Sequence, residues 1–164
     1  MKNGRERIGI DFGRVIMCAV KNGVNDTSFL GRSFAEAMKT PASDGAIECI
    51  AKLVERYDGD VFIVSKCGDS VQNKTRAWLR RNEVYAATGL EKDNVHFCRK
   101  RHHKAPICET LGITHFIDDR VDVLSHMVGT VPNLFLFGEQ SPGTQTPAWL
   151  EPLLDWRQVA SRLL

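Results

Sequence analysis

Short apolar runs, each closed by polar or turn-forming residues, recur along the chain. Their β-branched and aromatic content and near-continuous hydrophobicity are typical of strands covered on both faces, as in a parallel sheet. Four runs are prominent and one is weaker: Ile8–Ile10, Val61–Val64, Ile113–Ile117 and Leu134–Phe137, with Val95–Phe97 the weaker. The pattern therefore predicts a buried, mainly parallel sheet.

Between these runs, apolar residues return at helical spacing. The predicted helices are Ile47–Tyr57, Val71–Leu79, Pro106–Gly112, Val121–Val128 and Trp149–Leu163. Ser43 or Asp44 is expected to cap the first helix, and Pro152 to interrupt the last. Trp149 and Trp156 could be core anchors or part of a dimer surface, and we expect core anchors. Strands alternating with helices of this length predict a three-layer α/β/α sandwich with a mainly parallel, Rossmann-like sheet.

Residues 16–42 show neither the strand period nor the helix period, and we expect a flap or irregular insertion there.

A length of 164 residues, 43% hydrophobic and 26% charged, predicts one globular domain over 1–164 and excludes disordered or fibrous architectures. No apolar run approaches the roughly 20 residues of a membrane helix, so no membrane association is expected. The five cysteines lack CxxC spacing, which favours reduced thiols and a cytoplasmic location.

The net charge of +2 hides a basic stretch. Residues 74–104 carry nine Lys and Arg against three acidic residues, with a peak at Arg99–Lys104. Such a stretch is most often a solvated helix face, although it could also attract an anionic ligand or nucleic acid. Both interpretations stay open on the sequence alone.

Several predicted strands end in polar groups suited to a site. The first runs into Asp11, the second into Ser65 and a later one into Asp118 and Asp119, while Lys104 lies near the start of a helix. The carboxyl ends of parallel strands meet at one sheet edge, where ligands bind. Carboxylates gathered there repel one another unless a cation such as Mg²⁺ joins them, and a carboxylate can also act as a nucleophile. Taken singly, each of these residues could instead cap a turn or a helix.

The ordered set resembles the motifs of the haloacid dehalogenase-like (HAD) hydrolases. The resemblance lies in Ile8–Val15, Val61–Ser65, Lys104 and His115–Asp119, with Leu134–Phe137 matching the strand that usually follows. It implies a capless HAD-like domain with Mg²⁺-dependent phosphoryl transfer through an aspartyl-phosphate. By position, Asp11 would be nucleophile and metal ligand, and the Gly13 carbonyl, Asp118 and Asp119 would complete the metal site. Ser65, Lys66 and Lys104 would bind the phosphate, Lys104 also serving catalysis.

The first motif departs from the family pattern at Gly13. Phosphatases of the family usually carry a second Asp there, which protonates the leaving group and activates water. Asp69, His102 and His103 are conceivable substitutes. General acid–base catalysis typically contributes about 10²–10⁴-fold, so without a substitute the chain is expected to be a slow phosphatase. A catalytically impaired HAD-like binding module is the alternative.

The opening segment is also similar to the first strand of ribonuclease H-like resolvases. In such a nuclease the glycine after the acidic residue is expected, and residues 16–20 would form a second, antiparallel strand. The spacing of Lys104 and Asp118 favours the HAD-like interpretation. The expected partner is a phosphorylated substrate, whether a nucleotide, a nucleic-acid end or a phosphoprotein, and the oligomeric state stays open.

Overall fold

A six-stranded sheet forms the centre of the computed structural model, which describes residues 4–24, 26–31 and 33–164. All neighbouring strands pair in parallel, in the order β3-β2-β1-β4-β5-β6. The strands are β1 (Ile8–Ile10), β2 (Val61–Lys66), β3 (Val95–Cys98), β4 (His115–Asp118), β5 (Asn133–Phe137) and β6 (Glu151–Leu153). This order is that of the Rossmann fold, which confirms the predicted α/β class.

Helices cover both faces of the sheet. They are α1 (Ser28–Gly31), α2 (Phe34–Met38), α3 (Ala46–Arg56), α4 (Asp69–Arg81), α5 (Val84–Thr88), α6 (Lys104–Leu111), α7 (Val121–Ser125) and α8 (Trp156–Leu163). One buried cluster joins α3, α4, α5 and α8 to the sheet, and a second joins α6 and α7 to its other face. The result is the expected three-layer sandwich.

Both faces of β2 are buried, which explains its continuous apolar sequence. Val61 and Ile63 belong to one buried cluster, whereas Phe62 and Val64 belong to the other. In the adjacent β1, a Cβ atom on Gly9 would lie 2.5 Å from the buried ring of Phe116. Only glycine therefore fits at this position of the central strand.

The C-terminal region differs from the sequence prediction. The helix expected from Trp149 begins only at Trp156, and Pro152 lies instead in β6. Proline is tolerated there because β6 is an edge strand, which pairs with β5 on one side only. Of the two tryptophans, Trp156 is buried as expected, but Trp149 is 42% exposed.

The helix boundaries also need correction. Helix α6 begins at Lys104 rather than Pro106, α7 ends at Ser125, and α5 was not expected. Gly45, in a left-handed conformation, is the N-cap of α3. The hydroxyl of Ser43 accepts instead a hydrogen bond from the backbone N–H of Ala19, and Asp44 pairs with Lys21.

The region predicted as a flap, 16–42, holds the two short helices α1 and α2 and no strand among its described residues; Asn25 and Arg32 lie outside them. Its two ends are joined by an antiparallel bridge between Met17 and Ala42. The antiparallel hairpin of the resolvase alternative is wrong, because β1 pairs in parallel with β2 and β4 on its two sides.

Two general expectations concern cysteines and membranes. All five cysteines are free thiols, and four of them are buried. Within the described ranges, every helix falls short of the length and apolar character that a membrane crossing requires.

Candidate functional site

The sheet order changes direction between β1 and β4, and the predicted acidic residues lie at that point. Asp11 follows β1 directly, Asp118 is the last residue of β4, and Asp119 comes next. Because the strands are parallel, their carboxyl ends form one edge, and the crevice at the switch point is where such sheets bind ligands.

Lys104 holds two of these carboxylates together. Its Nζ donates to Asp11 Oδ1 at 2.9 Å and to Asp118 Oδ2 at 2.8 Å, and its side chain is only 3% exposed. The backbone N–H of Arg120 donates to the other oxygen of Asp118 at 3.1 Å. Burial alone would lower the pKa of Lys104, but the two carboxylates outweigh it and hold that pKa above its usual value. Lys104 is therefore a fixed positive charge.

A third carboxylate completes the cluster. Ligand oxygens of Asp11, Asp118 and Asp119 all lie within 4.8 Å of one another. Burial, reinforced by the charge of Asp11, raises the pKa of both Asp118 and Asp119. Three carboxylates and one ammonium leave an excess of two negative charges when fully ionised. Oxygen donors with this excess fit a hard divalent cation such as Mg²⁺.

The cluster forms one wall of a cavity of about 380 Å³. Its lining brings together every residue that the sequence singled out for the site, namely Asp11, Gly13, Ser65, Lys66, Lys104, Asp118 and Asp119. Ser65 is buried near the end of β2, and the cavity is also lined by Cys67, which carries a thiol. Burial raises the pKa of that thiol to about 11, so Cys67 stays protonated.

The turn after Asp11 is tightly organised. The carbonyl of Phe12 accepts backbone hydrogen bonds from Val15, Ile16 and Met17. Arg14, at φ 62°, adopts the left-handed conformation, which is uncommon outside glycine. Trp156 Nε1 of α8 donates to the carbonyl of Val15 at 2.9 Å. These contacts fix the backbone that carries Asp11 and Gly13.

Residues of the flap close one side of the cavity. Phe29 of α1 is buried edge-on against Phe12, with ring centroids 5.9 Å apart. Asp26, Thr27 and Leu30 line the cavity beside it. No sequence pattern singled out Asp26, because its position depends on the contact between Phe29 and Phe12 rather than on a local period.

The three acid–base substitutes considered from sequence lie elsewhere. Asp69 forms an ion pair with Arg99, and the rings of His102 and His103 contact each other with centroids 4.4 Å apart. None of the three lines the cavity that contains the acidic cluster.

Comparison with known proteins finds similarity in structure alone. Neither a protein-family profile nor a curated protein sequence matches the chain. The structure aligns with a protein assigned to the haloacid dehalogenase-like hydrolases of Burkholderia xenovorans, at 11% identity over 96% of both chains and a TM-score of 0.62. A haloacid dehalogenase-like family hydrolase of Xanthomonas campestris aligns at 10% identity over 96% of this chain and 94% of that one, also at 0.62.

A HAD family hydrolase of Deinococcus radiodurans, whose structure contains bound phosphate and sodium, aligns at 13% identity. The alignment covers 96% of this chain and 94% of that one, with a TM-score of 0.54. The chain is thus a Rossmann-like α/β protein with an acidic crevice at the switch point of its sheet. More narrowly, its fold is that of the haloacid dehalogenase-like hydrolases.

Proposed function

We propose that this protein is a Mg²⁺-dependent phosphatase that acts through a phosphoryl intermediate on Asp11. The observation that carries the proposal is the pair of hydrogen bonds from Lys104 to Asp11 and Asp118, at the strand edge where Asp119 adds a third carboxylate. A carboxylate, a fixed ammonium and a hydroxyl converge on one cavity. That combination suits attack on a phosphate ester.

In the first step, a carboxylate oxygen of Asp11 attacks the phosphorus atom, and the bond between phosphorus and the leaving-group oxygen breaks. The alcohol leaves after its oxygen takes a proton. In the second step, water attacks the phosphorus of the aspartyl-phosphate, inorganic phosphate departs and the Asp11 carboxylate is regenerated. Covalent catalysis of this kind divides one difficult displacement into two easier ones.

The surrounding residues have separate tasks. Lys104 orients Asp11 through its 2.9 Å hydrogen bond and places positive charge beside the transferred group. Ser65 and Lys66, at the end of β2, contribute a hydroxyl donor and a second ammonium to the phosphate oxygens. Asp11, Asp118, Asp119 and the carbonyl of Gly13 are the groups that would hold Mg²⁺. When bound, the ion offsets the charge of the cluster and of the phosphate.

The test is release of inorganic phosphate from p-nitrophenyl phosphate and nucleoside monophosphates, with and without Mg²⁺. We expect Mg²⁺-dependent turnover by the unaltered protein and background release by Asp11→Asn. Asp69→Asn is the matched control, because Asp69 is an acidic residue outside the cavity that pairs with Arg99. Mass spectrometry of the quenched reaction should find a phosphoryl group on Asp11.

A protein that binds its ligand at this site but does not hydrolyse it would give a different result. In that case Mg²⁺ still raises the melting temperature and Asp118→Asn abolishes the rise, but no substrate turns over above the Asp11→Asn background. Turnover that survives Asp11→Asn would refute the proposed nucleophile.

A further inference from the structure

The first step of the proposed reaction needs a proton donor that the acidic cluster does not supply. An alkyl phosphate releases a strongly basic alkoxide, which must be protonated as it leaves. Asp11 is the nucleophile, and Lys104 is held in two short ion pairs that keep its ammonium charged. Asp118 accepts from Lys104 and from the backbone of Arg120, and Asp119 is one of the carboxylates that would hold Mg²⁺ and so would not be free to donate. The donor must therefore come from another wall of the cavity.

The position next to the nucleophile is open. A Cβ atom on Gly13 would meet no atom within 4 Å, so the backbone leaves room there for a side chain from another segment. Four carboxylates line the cavity among the residues that the structure describes: Asp11, Asp118, Asp119 and Asp26. Asp11, Asp118 and Asp119 lie at the ends of strands, whereas Asp26 lies on the flap.

The flap that carries Asp26 is anchored beside the turn that follows Asp11. Phe29 packs edge-on against Phe12, which follows Asp11 directly. Lys74 Nζ of α4 donates to the carbonyls of Phe29 and Leu30, at 3.4 and 3.5 Å, and so holds α1 to the body of the protein. Asp26 lies only three residues before Phe29, a span of at most about 10 Å of extended chain.

We propose that Asp26 is the general acid and base of this site, acting from the flap across the open position at Gly13. The inference rests on the proposed phosphatase function. In the first step the Asp26 carboxyl donates its proton to the leaving-group oxygen as the bond to phosphorus breaks. In the second step the resulting carboxylate accepts a proton from the water that attacks the aspartyl-phosphate, which restores the acid. Protons and charges balance without a further reactant.

Neighbouring groups suit this task. Cys18 also lines the cavity, and burial together with the charge of Asp26 raises the pKa of its thiol to about 11. The thiol therefore stays protonated and does not compete with Asp11 as a nucleophile.

The test compares two leaving groups in rapid-mixing experiments on Asp26→Asn. Glycerol phosphate needs a protonated leaving oxygen, whereas p-nitrophenolate departs without one. For glycerol phosphate we expect the first transfer to slow by about 10²–10⁴-fold. For p-nitrophenyl phosphate we expect a burst of p-nitrophenolate at close to the original rate, then slow turnover and accumulation of phosphorylated Asp11. The slow phase arises because the second step has lost its base.

The matched control is Glu36→Gln, which alters an exposed acidic residue of α2 that lies outside the cavity. It should change neither rate by more than about twofold. Gly13→Asp in the Asp26→Asn background should restore turnover of glycerol phosphate, since the position has room for a carboxylate.

Three results would overturn the inference. If Asp26→Asn hydrolyses both substrates at unchanged rates while Asp11→Asn is inactive, Asp26 is not the general acid and base, and the phosphatase proposal still stands. An equal loss of the burst for both substrates means that Asp26 only holds the flap in place. Absence of any activity that depends on Asp11 overturns both proposals together.

Discussion

At the scale of single residues, the acidic cluster couples stability to pH. Burial, with the charges of Asp11 and Asp118, raises the pKa of Asp119 from an ordinary 3.8 to about 8. The folded protein therefore binds a proton that the unfolded chain releases between these values. A group of this kind makes the free energy of unfolding fall as the pH rises from about 4 to about 8.

We therefore predict that, in the metal-free protein, Asp119→Asn makes the free energy of unfolding less dependent on pH. Urea unfolding in EDTA between pH 5 and pH 8 measures this free energy. The difference in the free energy of unfolding between the unaltered protein and Asp119→Asn should change by more than about 1 kcal/mol over that range. Asp122→Asn is the control. The hydrogen bond from Arg120 lowers the pKa of Asp122, so its loss should shift the whole curve without altering the slope. Parallel curves for Asp119→Asn and the unaltered protein would contradict the prediction.

Single residues also show how much of the candidate site, the set of residues that line the cavity, could be predicted from the sequence. Asp11, Ser65, Asp118 and Asp119 were predictable because each ends or follows an apolar run, and parallel strands end at one edge. Asp26 was not, because its place depends on the burial of Phe29 against Phe12, a contact between segments that no local pattern encodes.

At the scale of elements, prediction succeeded where both faces of a segment are buried. The five expected strands are largely apolar because helices cover both sides of the sheet. Strand β6 was not predicted because it has only three residues, one of them Pro152, and lies at the edge of the sheet. The expected cap of α3 was wrong because the Ser43 hydroxyl bonds to Ala19 and so stabilises the base of the flap.

Helix α8 links the end of the chain to the site. Its Trp156 is buried and donates to the carbonyl of Val15, four residues after Asp11. The hydroxyl of Tyr57, which directly follows α3, donates to the carbonyl of Leu163, the last residue of α8. The helix thus fastens the turn that carries Gly13 to the α3 side of the sheet.

We predict that Trp156→Phe lowers the free energy of unfolding by about 1–3 kcal/mol, because the carbonyl of Val15 loses its donor inside the protein. The turn should also loosen, with a lower kcat for p-nitrophenyl phosphate. Urea unfolding and steady-state kinetics measure the two effects. Trp149→Phe is the matched control: Trp149 is 42% exposed, and its change should stay within about 0.5 kcal/mol. Similar losses in the two variants would refute the role given to the hydrogen bond.

At the scale of the whole molecule, cationic side chains line the same cavity as the acidic cluster. Arg14, Lys66, Arg101 and Arg120 line the cavity together with the buried cluster, and we call these four residues the cationic rim. Arg101 belongs to the basic stretch seen in the sequence and lies 3.5 Å from Asp122. Other members of that stretch, including Arg81 at the far end of α4, do not line the cavity. Some residues of the basic stretch therefore line the cavity, and others lie outside it.

A rim of this kind should matter most for substrates that carry charge beyond the reacting phosphate. We predict that kcat/KM for a 5′-phosphorylated oligonucleotide falls more steeply with salt than kcat/KM for p-nitrophenyl phosphate, because each cation that contacts the strand displaces counterions. Arg101→Gln should reduce the log–log slope for the oligonucleotide by about 0.7, the value for one contact with a single strand, and leave kcat for p-nitrophenyl phosphate unchanged.

Arg81→Gln removes the same charge at the opposite end of α4, about 18 Å along the helix from Asp69. If the rim guides the substrate, this control keeps the original slope, because Arg81 does not line the cavity. If instead the protein attracts anions only through its overall charge, the two variants shift the slope equally. Equal slopes for the oligonucleotide and p-nitrophenyl phosphate in the unaltered protein would mean that the rim contacts nothing beyond the phosphate, which favours a small substrate over a nucleic-acid end.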